Sequence, residues 1–398
     1  MTRLPTGETG RIESLDMLRG FSLLGIFIAN MLVFHSPYMY MDPYSWFESN
    51  GEGFPFMWLD IFIEASFYPI FAMLFGYGLS MQYEKSLLQK SPFGPVAVRR
   101  MVILLLFGLI HAFFIWSGDI LFTYAMMGFL MIALVRIPPK WLFFGALALY
   151  IVPNGLITGL TYVVERLEVG GTFSEFADIQ QIQESIEVYG HGSYLAALAF
   201  RAKEWLFISG ANLFLTPFMI LPLMMIGAAF AKWRLFERAK ELKGRLLVVG
   251  GSLLIIGLIL KALPFLIAPN FSMQLVQTYF GGPLVALGYG ALVLLLCTTP
   301  WFSKVFRPVA KAGRMSLTTY ISQSVIATLI FYNYGFGMYG KVDIITGTLI
   351  AIGIFVVQAL LADLWLSRYK MGPIEWIWRV GTYGTFLSNK KEKRQDLS

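Results

Sequence analysis

The chain has 398 residues, of which 57% are hydrophobic and only 14% are charged. Soluble globular proteins are nearer to one half apolar and one quarter charged, so this composition excludes an ordinary soluble domain and indicates a membrane protein. The formal net charge of +7 does not indicate nucleic-acid binding, because the basic residues lie between apolar runs, where they set membrane orientation.

Apolar runs of about twenty residues recur along the chain, and each can cross a hydrocarbon core as one helix. The predicted fold class is therefore all-α, a polytopic membrane bundle of about ten transmembrane helices in a single domain over residues 1–388. Outer loops are expected at about 36–56 and 163–195, and a disordered basic tail at 389–398. The predicted spans are 16–36, 57–83, 98–117, 119–136, 139–162, 209–231, 246–267, 281–299, 315–335 and 343–367.

Two segments outside the spans have the character of interfacial helices. Residues 194–208 form either an amphipathic interfacial helix or an extension of the sixth span. Residues Trp376–Tyr383, with Arg379, predict an interfacial helix near the C-terminus. The first apolar run is too long for a cleavable signal peptide and lacks a small-residue cleavage site, so it is expected to remain as a spanning helix.

The helix-breaking prolines and the single cysteine do not indicate a catalytic or metal-binding site. Cys297 alone excludes an internal disulfide and a cysteine metal cluster. No convincing internal repeat is found, although a Pro-Gly pair in the second span faintly echoes one in the sixth. The prolines inside apolar runs, which predict kinked or broken helices, are Pro69, Pro217, Pro222 and Pro264.

The basic residues alternate between connections. Of the 31 Lys and Arg residues, 26 lie in the N-terminal segment, in the even-numbered connections or in the C-terminal segment. The positive-inside rule therefore predicts that both termini are cytoplasmic. The first and third loops on the other side are acidic, and the three histidines, His35, His111 and His191, lie near that outer face.

Ionisable residues at membrane depth are costly, so they are expected to face the bundle interior and to pair. Asp16 and Arg19 are spaced i, i+3 and predict a structural ion pair, or alternatively part of a cytoplasmic access route to a site. Asp60 and Glu64 repel each other at i, i+4 unless one is protonated or paired with a cation. They do not make a metal site.

Two histidines are candidate catalytic residues. His111 lies at the outer end of the third span, and Asp119, a helix N-cap candidate, follows a tight turn at similar depth. This spacing favours a coupled imidazole–carboxylate pair over an unrelated cap and a buried histidine. Asn30 and His35 are five residues apart, about 140° around a helix, so they converge only if the helix frays before Pro37.

A basic connection precedes the ninth span. Gly313 and Ser316 suit a helix start, and Arg314 has the wrong charge for a helix N-terminus, which favours binding of an anion such as phosphate there. The alternative is a basic loop that only sets topology. Polar residues, among them Gln323, continue into the helix.

Several motifs together resemble the YeiB family of bacterial membrane proteins, and they cover nearly the whole chain. The motifs are RIESLDMLRG at Arg11–Gly20, LFGYG at Leu74–Gly78, GLIHA with WSGDIL inside Gly108–Leu121, GRMSLTTY with QS inside Gly313–Ser324, and GPIEW with WR inside Gly372–Arg379. This family is similar to the transmembrane acyltransferase superfamily, which includes lysosomal heparan-α-glucosaminide N-acetyltransferase.

The resemblance implies transfer of an acyl group from a cytosolic acyl-CoA, such as acetyl-CoA, to an acceptor across the membrane. In that lysosomal enzyme an Asn and then a His follow in the first helix, and by position these match Asn30 and His35, with a shorter gap here. His111 and Asp119 belong to the pattern of YeiB relatives. The residues expected to bind the CoA part are Arg19, Arg314, Ser316, Gln323, Glu375 and Arg379.

The main hypothesis is therefore a membrane acyltransferase in which His35 or His111 is the general base, Asp119 orients it and Asn30 polarises the thioester carbonyl. The alternatives are a transporter or flippase for a small or amphipathic solute, and a non-catalytic scaffold or sensor. The expected location is the bacterial plasma membrane. The expected partners are membrane lipid, a sugar, lipid or other small acceptor with a hydroxyl or amine, and a second copy of the chain in a homodimer. Nucleic acid and metal are not expected.

Overall fold

The structure is a computed structural model, and it describes residues 12–167, 177–212, 214–386 and 388–391. Within these ranges the chain is helical and has no strand, apart from one isolated bridge between Tyr369 and Lys390. The helices are α1 Glu13–His35, α2 Pro43–Ser49, α3 Gly53–Phe62, α4 Tyr68–Leu88, α5 Gly94–Phe114, α6 Leu121–Leu134, α7 Pro139–Arg166, α8 Ile179–His191, α9 Tyr194–Asn212, α10 Thr216–Lys232, α11 Lys243–Leu266, α12 Phe271–Leu275, α13 Gly282–Leu296, α14 Pro300–Val305, α15 Arg307–Arg314, α16 Ser316–Phe331, α17 Ile344–Arg368 and α18 Pro373–Tyr383.

Among the described residues, six helices are long and apolar enough to cross a membrane, which makes the chain a multi-pass membrane protein. They are α1, α5, α7, α11, α17 and the helix that runs through α12 and α13, Phe271–Leu296. Four further predicted spans contain shorter apolar helices, namely α3, α6, α10 and α16. The all-helical prediction is confirmed for the described residues, and the coarse prediction of a multi-pass bundle is confirmed with it.

The predicted second span, 57–83, is wrong as a single helix, because α3 ends at Phe62 and α4 begins at Tyr68. Pro69 at the start of α4 cannot donate a helical hydrogen bond, and Ala65 in the break has a positive φ of 54°. The carbonyls freed at the break are bound by side chains. Tyr289 donates to Phe62 O at 3.1 Å, and Lys261 donates to Glu64 O.

The predicted span 209–231 also differs. The chain there leaves one helix, α9, at Asn212 and starts another, α10, at Thr216, with Pro217 at its first turn. Segment 194–208 therefore belongs to a separate helix and does not extend the sixth span. A π-helical stretch, Val276–Gly281, precedes α13, so the predicted span 281–299 begins earlier than expected.

The C-terminal segment is more ordered than predicted. The helix α18 forms as expected, and beyond it Asn389 and Lys391 bond to the end of α17. Lys370 N donates to Asn389 O at 2.8 Å, and Lys391 N donates to Arg368 O at 3.0 Å. The first residues of the predicted disordered tail therefore form backbone hydrogen bonds, because the chain there donates to a carbonyl group that the end of α17 leaves without a helical partner. Residues 392–398 lie outside the described part.

The loops that the sequence predicts on the outer side are packed. A single 3-10 turn, Tyr38–Tyr40, and α2 follow α1, and Asp178 N donates to Tyr40 O at 2.9 Å. Gly340 N donates to His35 O at 2.7 Å, so the connection after α16 closes over the end of α1. The helices α8 and α9 complete this layer. Part of the predicted outer loop, residues 168–176, lies outside the described ranges.

The two helices α4 and α10 pack by reciprocal glycine contacts. A Cβ at Gly76 would overlap the backbone carbonyl of Met224, and a Cβ at Gly227 would overlap that of Met73. Small residues allow such close approach between membrane helices, where packing supplies much of the association energy. Gly76 and Gly227 belong to the two similar Pro-Gly pairs of the sequence, so this similarity reflects a helix contact and not an internal repeat.

We expect Gly227→Ala to destabilise the fold by about 1–3 kcal/mol, because the added methyl has to displace the α4 backbone. Gly159→Ala in α7 is the matched control, since a Cβ there meets nothing within 4 Å. Thermal unfolding of both purified variants measures the difference. An equal midpoint for the two variants would contradict the packing described.

Candidate functional site

The connection between α5 and α6 holds a buried histidine–aspartate pair. His111 Nδ1 lies 2.9 Å from Asp119 Oδ1, and their side chains are 1% and 0% exposed. Asp119 Oδ2 accepts a hydrogen bond of 2.7 Å from Phe122 N in the first turn of α6. One carboxylate therefore caps a helix and orients the imidazole, as the sequence spacing predicts.

The geometry leaves the other ring nitrogen of His111 available. A carboxylate at Nδ1 favours the tautomer with the proton on Nδ1, so Nε2 carries a lone pair. His111 Nε2 is buried and has no hydrogen-bond partner among the described residues. The Tyr320 ring lies 5.1 Å from the imidazole, between ring centroids. An imidazole held in this way has the geometry that a general base requires.

Close approach of the two helices makes this pair possible. A Cβ at Gly108, one turn before His111, would overlap the backbone of Phe122 and would lie 2.9 Å from Asp119 Oδ2. Tyr320 from α16 closes the turn, because its hydroxyl lies 3.4 Å from both Gly118 O and Ile120 N. The pair is thus held by three helices.

A second buried carboxylate, Glu204 of α9, contacts the same connection and was missed by sequence reasoning. Its oxygens accept hydrogen bonds from Tyr40 and Ser117, both at 2.9 Å, and from Tyr189 at 2.5 Å. Burial raises the pKa of Glu204, and the three hydroxyl donors and Arg201 act in the opposite direction. The only sequence signal was an Arg and a Glu three residues apart in an amphipathic segment.

Arg201, one turn before Glu204, is fully buried. It donates to Phe113 O at 3.2 Å and to Tyr334 OH at 3.4 Å, so it binds the end of α5. A cavity of about 10 Å³ lies beside Glu204, bounded by Trp116, Ser117 and Tyr189. That volume holds about one water molecule.

His35 and Asn30 are not brought together. The helix α1 is regular through His35, so the fraying that could have aligned them does not occur. His35 is buried with its ring 5.9 Å from that of Phe331, and neither of its ring nitrogens has a partner in the described structure. Asn30 is half-buried and forms no hydrogen bond to His35 in the described ranges. His35 is therefore a packed residue near the outer end.

At the opposite end of the bundle, three arginines from different helices gather. Arg19 of α1 forms the ion pair that its spacing predicts, with Nη1 3.1 Å from Asp16 Oδ1. Arg100 of α5 stacks on the Trp378 indole, with its guanidinium carbon 4.3 Å from the ring centroid. It also interacts electrostatically with Arg19 and Arg379. Arg100 was missed, because the sequence showed it only as one of several loop cations.

Two of the predicted CoA-binding residues have structural partners instead. Glu375 Oε1 accepts from Leu317 N at 2.6 Å and from Thr318 N at 3.0 Å, and its Oε2 accepts from Thr318 Oγ1 at 2.6 Å. Glu375 is therefore the cap of α16, where a negative charge suits the helix N-terminus. Arg314 Nη2 donates to Lys370 O at 2.6 Å.

The remaining two predicted CoA-binding residues lie on α16. Ser316 is its first residue and is half-buried. Gln323 is buried about 10 Å further along the helix, so it lies away from the arginines. Its Nε2 has no hydrogen-bond partner among the described residues. The structure therefore does not gather the whole predicted set around one anion.

A buried ionic cluster lies at the α3–α4 break. Lys261 is fully buried and acts electrostatically on both Asp60 and Glu64, so it is the cation that these carboxylates required. Tyr44 OH lies 3.4 Å from Asp60 Oδ2 and 3.2 Å from Gln277 Oε1 in the π-helical stretch. In the described part of the chain no three His, Cys, Asp or Glu residues group as metal ligands.

Comparison with known proteins agrees with the motifs. Residues 230–385 match the family described as protein of unknown function (DUF418). The uncharacterized protein YxaH of Bacillus subtilis (strain 168) is 34% identical, covering 95% of this chain and 96% of that protein. The uncharacterized protein YeiB of Escherichia coli (strain K12) is 28% identical over 93% of this chain and 95% of its own length. The chain belongs to the YeiB family.

A third relative extends over a similar length. An uncharacterized 39.9 kDa protein of Bacillus acidopullulyticus is 26% identical over 95% of this chain and 96% of its own. The matched DUF418 region of this YeiB-family protein contains Lys261, Tyr320 and Arg379, whereas His111, Asp119 and Glu204 precede it.

The buried Glu204 predicts a pH dependence of stability. Because its folded-state pKa is raised, its stabilising contribution is complete below its unfolded value, near 4.5, and is lost as pH rises through the folded value. Glu204→Gln removes this titration. In measurements between pH 4.5 and pH 8, we therefore expect the stability of Glu204→Gln relative to wild type to increase as the pH rises.

Apparent unfolding temperatures across this pH range measure the effect. Glu187→Gln, an exposed position on α8, is the matched control and should follow the wild type at each pH. A difference between Glu204→Gln and wild type that stays constant with pH would show that Glu204 is not the titrating group.

Proposed function

We propose that this protein is a membrane-embedded acyltransferase that moves an acyl group from cytosolic acyl-CoA to a hydroxyl or amine acceptor at the outer side. The observation that carries the proposal is the His111–Asp119 pair, in which a buried carboxylate orients an imidazole whose Nε2 is unoccupied. Membrane-embedded ionisable groups of this kind are functional candidates by default.

The bond changes balance with His111 alone as the proton carrier. The acceptor O–H or N–H gives its proton to His111 Nε2, and the acceptor atom attacks the thioester carbonyl. The C–S bond then breaks, the acyl group stays on the acceptor, and the CoA thiolate takes the proton back from the imidazolium. Asp119 stabilises the imidazolium during the cycle. A positioned general base raises the reaction rate by about 10²–10⁴-fold.

The basic end of the bundle is the proposed binding site for the acyl-CoA donor. Arg19, Arg100 and Arg379 offer guanidinium groups that suit the phosphates of CoA. Arg100 and His111 lie on the same helix, α5, about 16 Å apart along its axis. A donor anchored at the arginines would therefore extend along α5 to reach the imidazole. Arg314, Ser316, Gln323 and Glu375 are less suited to this role, given their positions.

The proposal includes the finer topology. Ten crossings would result if α6, α10 and α16 cross with the six long helices, and if α3 and α4 together form one broken crossing. In this arrangement both termini lie in the cytoplasm and the chain lies in the bacterial plasma membrane. The alternation of basic connections supports this arrangement. A second copy of the chain is not required by the His111–Asp119 site.

Transport of a small solute is the second candidate, favoured by one specific observation. The helix break between α3 and α4 lies beside the buried Lys261, Asp60 and Gln277. Discontinuous helices with buried charges form the substrate or ion sites of many transporters. A non-catalytic scaffold would instead use His111 and Asp119 for folding alone.

We expect Asp119→Asn and His111→Gln each to lower acyl transfer by about 10²–10⁴-fold. Purified protein is incubated with radiolabelled acyl-CoA of several chain lengths and with sugar, lipid and amine acceptors, and labelled product is counted. His35→Gln, the same substitution at the packed histidine, is the matched control and should retain transfer.

Binding of CoA separates the hypotheses. Arg100→Gln should weaken binding of acyl-CoA and leave the fold intact. Absence of acyl-CoA binding to the wild type at every chain length would remove the acyltransferase proposal. Solute flux that needs Lys261 and survives His111→Gln would favour transport, and a loss limited to folding would favour the scaffold.

The topology has its own test. In a Cys297→Ser background, a cysteine at Glu187 should react with an impermeant maleimide on intact cells, and one at Lys240 should react only after permeabilisation. Both positions are exposed, so accessibility within the protein does not limit either reaction. Labelling of position 240 on intact cells would reverse the proposed orientation.

A further inference from the structure

A large apolar cavity lies at the basic end of the bundle, away from the His111–Asp119 pair. Its volume is about 350 Å³, and it is enclosed by α1, α4, α10, α11 and α13. On α11 the lining side chains recur from Arg245 through Val249 to Leu253, which covers about 12 Å of the helix. The cavity is therefore elongated along a membrane-spanning helix.

The lining is almost entirely aliphatic and aromatic, and Arg245 is its one charged member. An apolar cavity of this size does not hold water well and takes an apolar guest instead. It is within the size range of sites that bind small ligands. Because three of the enclosing elements are membrane spans, the apolar guest at hand is a lipid chain.

The mouth of the cavity carries an uncompensated positive charge. Arg245 is exposed and forms no ion pair with any residue of the described ranges. The nearby carboxylates are already used, since Glu237 accepts from Tyr77 OH at 2.9 Å and Glu241 accepts from Arg238 at 3.2 Å. A basic group at a helix end beside a membrane attracts anionic lipid headgroups.

The cavity is distinct from the arginine cluster proposed to bind CoA. Tyr77 of α4 lines the cavity, whereas a Cβ at its neighbour Gly78 would lie 3.6 Å from Arg19 Nη2. None of Arg19, Arg100 and Arg379 is among the residues that line the cavity. A chain in this cavity does not share the anchor of the acyl donor.

We propose that this cavity binds one acyl chain of an anionic membrane phospholipid, with the lipid phosphate at Arg245. The site is a lipid site separate from acyl transfer, so it does not depend on the proposed enzymatic function. The lipid fills the gap between α4, α10, α11 and α13 and pairs with the free guanidinium.

The test measures lipid retention by native mass spectrometry. Purified full-length protein is incubated with phosphatidylglycerol or with phosphatidylcholine carrying the same chains. The wild type should retain one phosphatidylglycerol in preference to phosphatidylcholine. Arg245→Gln should lower retention of phosphatidylglycerol about fivefold and leave phosphatidylcholine nearly unchanged, as expected for one lost cation at a membrane surface.

A cavity-filling variant tests the chain-binding part. Gly290→Phe should abolish retention of both lipids, because a side chain there enters space whose nearest atom, Leu18 Cδ2, is 4.0 Å from the added Cβ. Gly251→Phe is the matched control, since its Cβ meets nothing within 4 Å, and it should bind like the wild type. Val249→Trp, at an exposed position of the cavity lining, should reduce retention of both lipids. It replaces Gly290→Phe in the test if that variant does not fold.

Three outcomes would overturn the proposal. The first is equal retention of the two lipids by the wild type. The second is wild-type retention by a folded Gly290→Phe. The third is identification of the bound molecule as acyl-CoA or free fatty acid. Retention that persists in His111→Gln supports the lipid site independently of acyl transfer.

Discussion

The rest of this structure depends on one constraint, that polar groups within an apolar medium have to find partners inside the protein. Asp119 meets this constraint for two polar groups at once. One carboxylate binds a helix-terminal N–H of Phe122 and the imidazole of His111. A group required for the fold thereby also sets the tautomer of a candidate base. Structure and chemistry share one side chain at this point.

The same constraint explains the departures from regular helix. The break before Tyr68 is stable because Tyr289 and Lys261 bind its free carbonyls. Burial of Lys261 in turn requires Asp60 and Glu64 nearby. Glu204 is accommodated in the same way by three hydroxyl donors. Lys261 and Glu204 are therefore each accommodated at a backbone irregularity or in a packed loop.

The bundle separates its chemistry by position. Cations gather at one end, with Arg100 on α5, and His111 lies near the other end of the same helix. The apolar cavity beside Arg245 occupies a third position, and its lining includes none of Arg19, Arg100 and Arg379. A rigid helix that connects two sites fixes their separation, which is a requirement for transfer between a donor and an acceptor from opposite sides of a membrane.

Composition and apolar periodicity by themselves determined the all-helical membrane class and the position of most helices, because burial in lipid imposes a length of about twenty residues. They also determined the Asp16–Arg19 and His111–Asp119 pairs, since neighbours along one helix or across one tight turn have little freedom to separate. Only the tertiary structure decided the cap of α16 by Glu375, the partners of Glu204, the gathering of Arg19, Arg100 and Arg379, and the divergence of Asn30 from His35. Those contacts join residues far apart in the chain, and their formation depends on how whole helices pack, a property that no local pattern encodes.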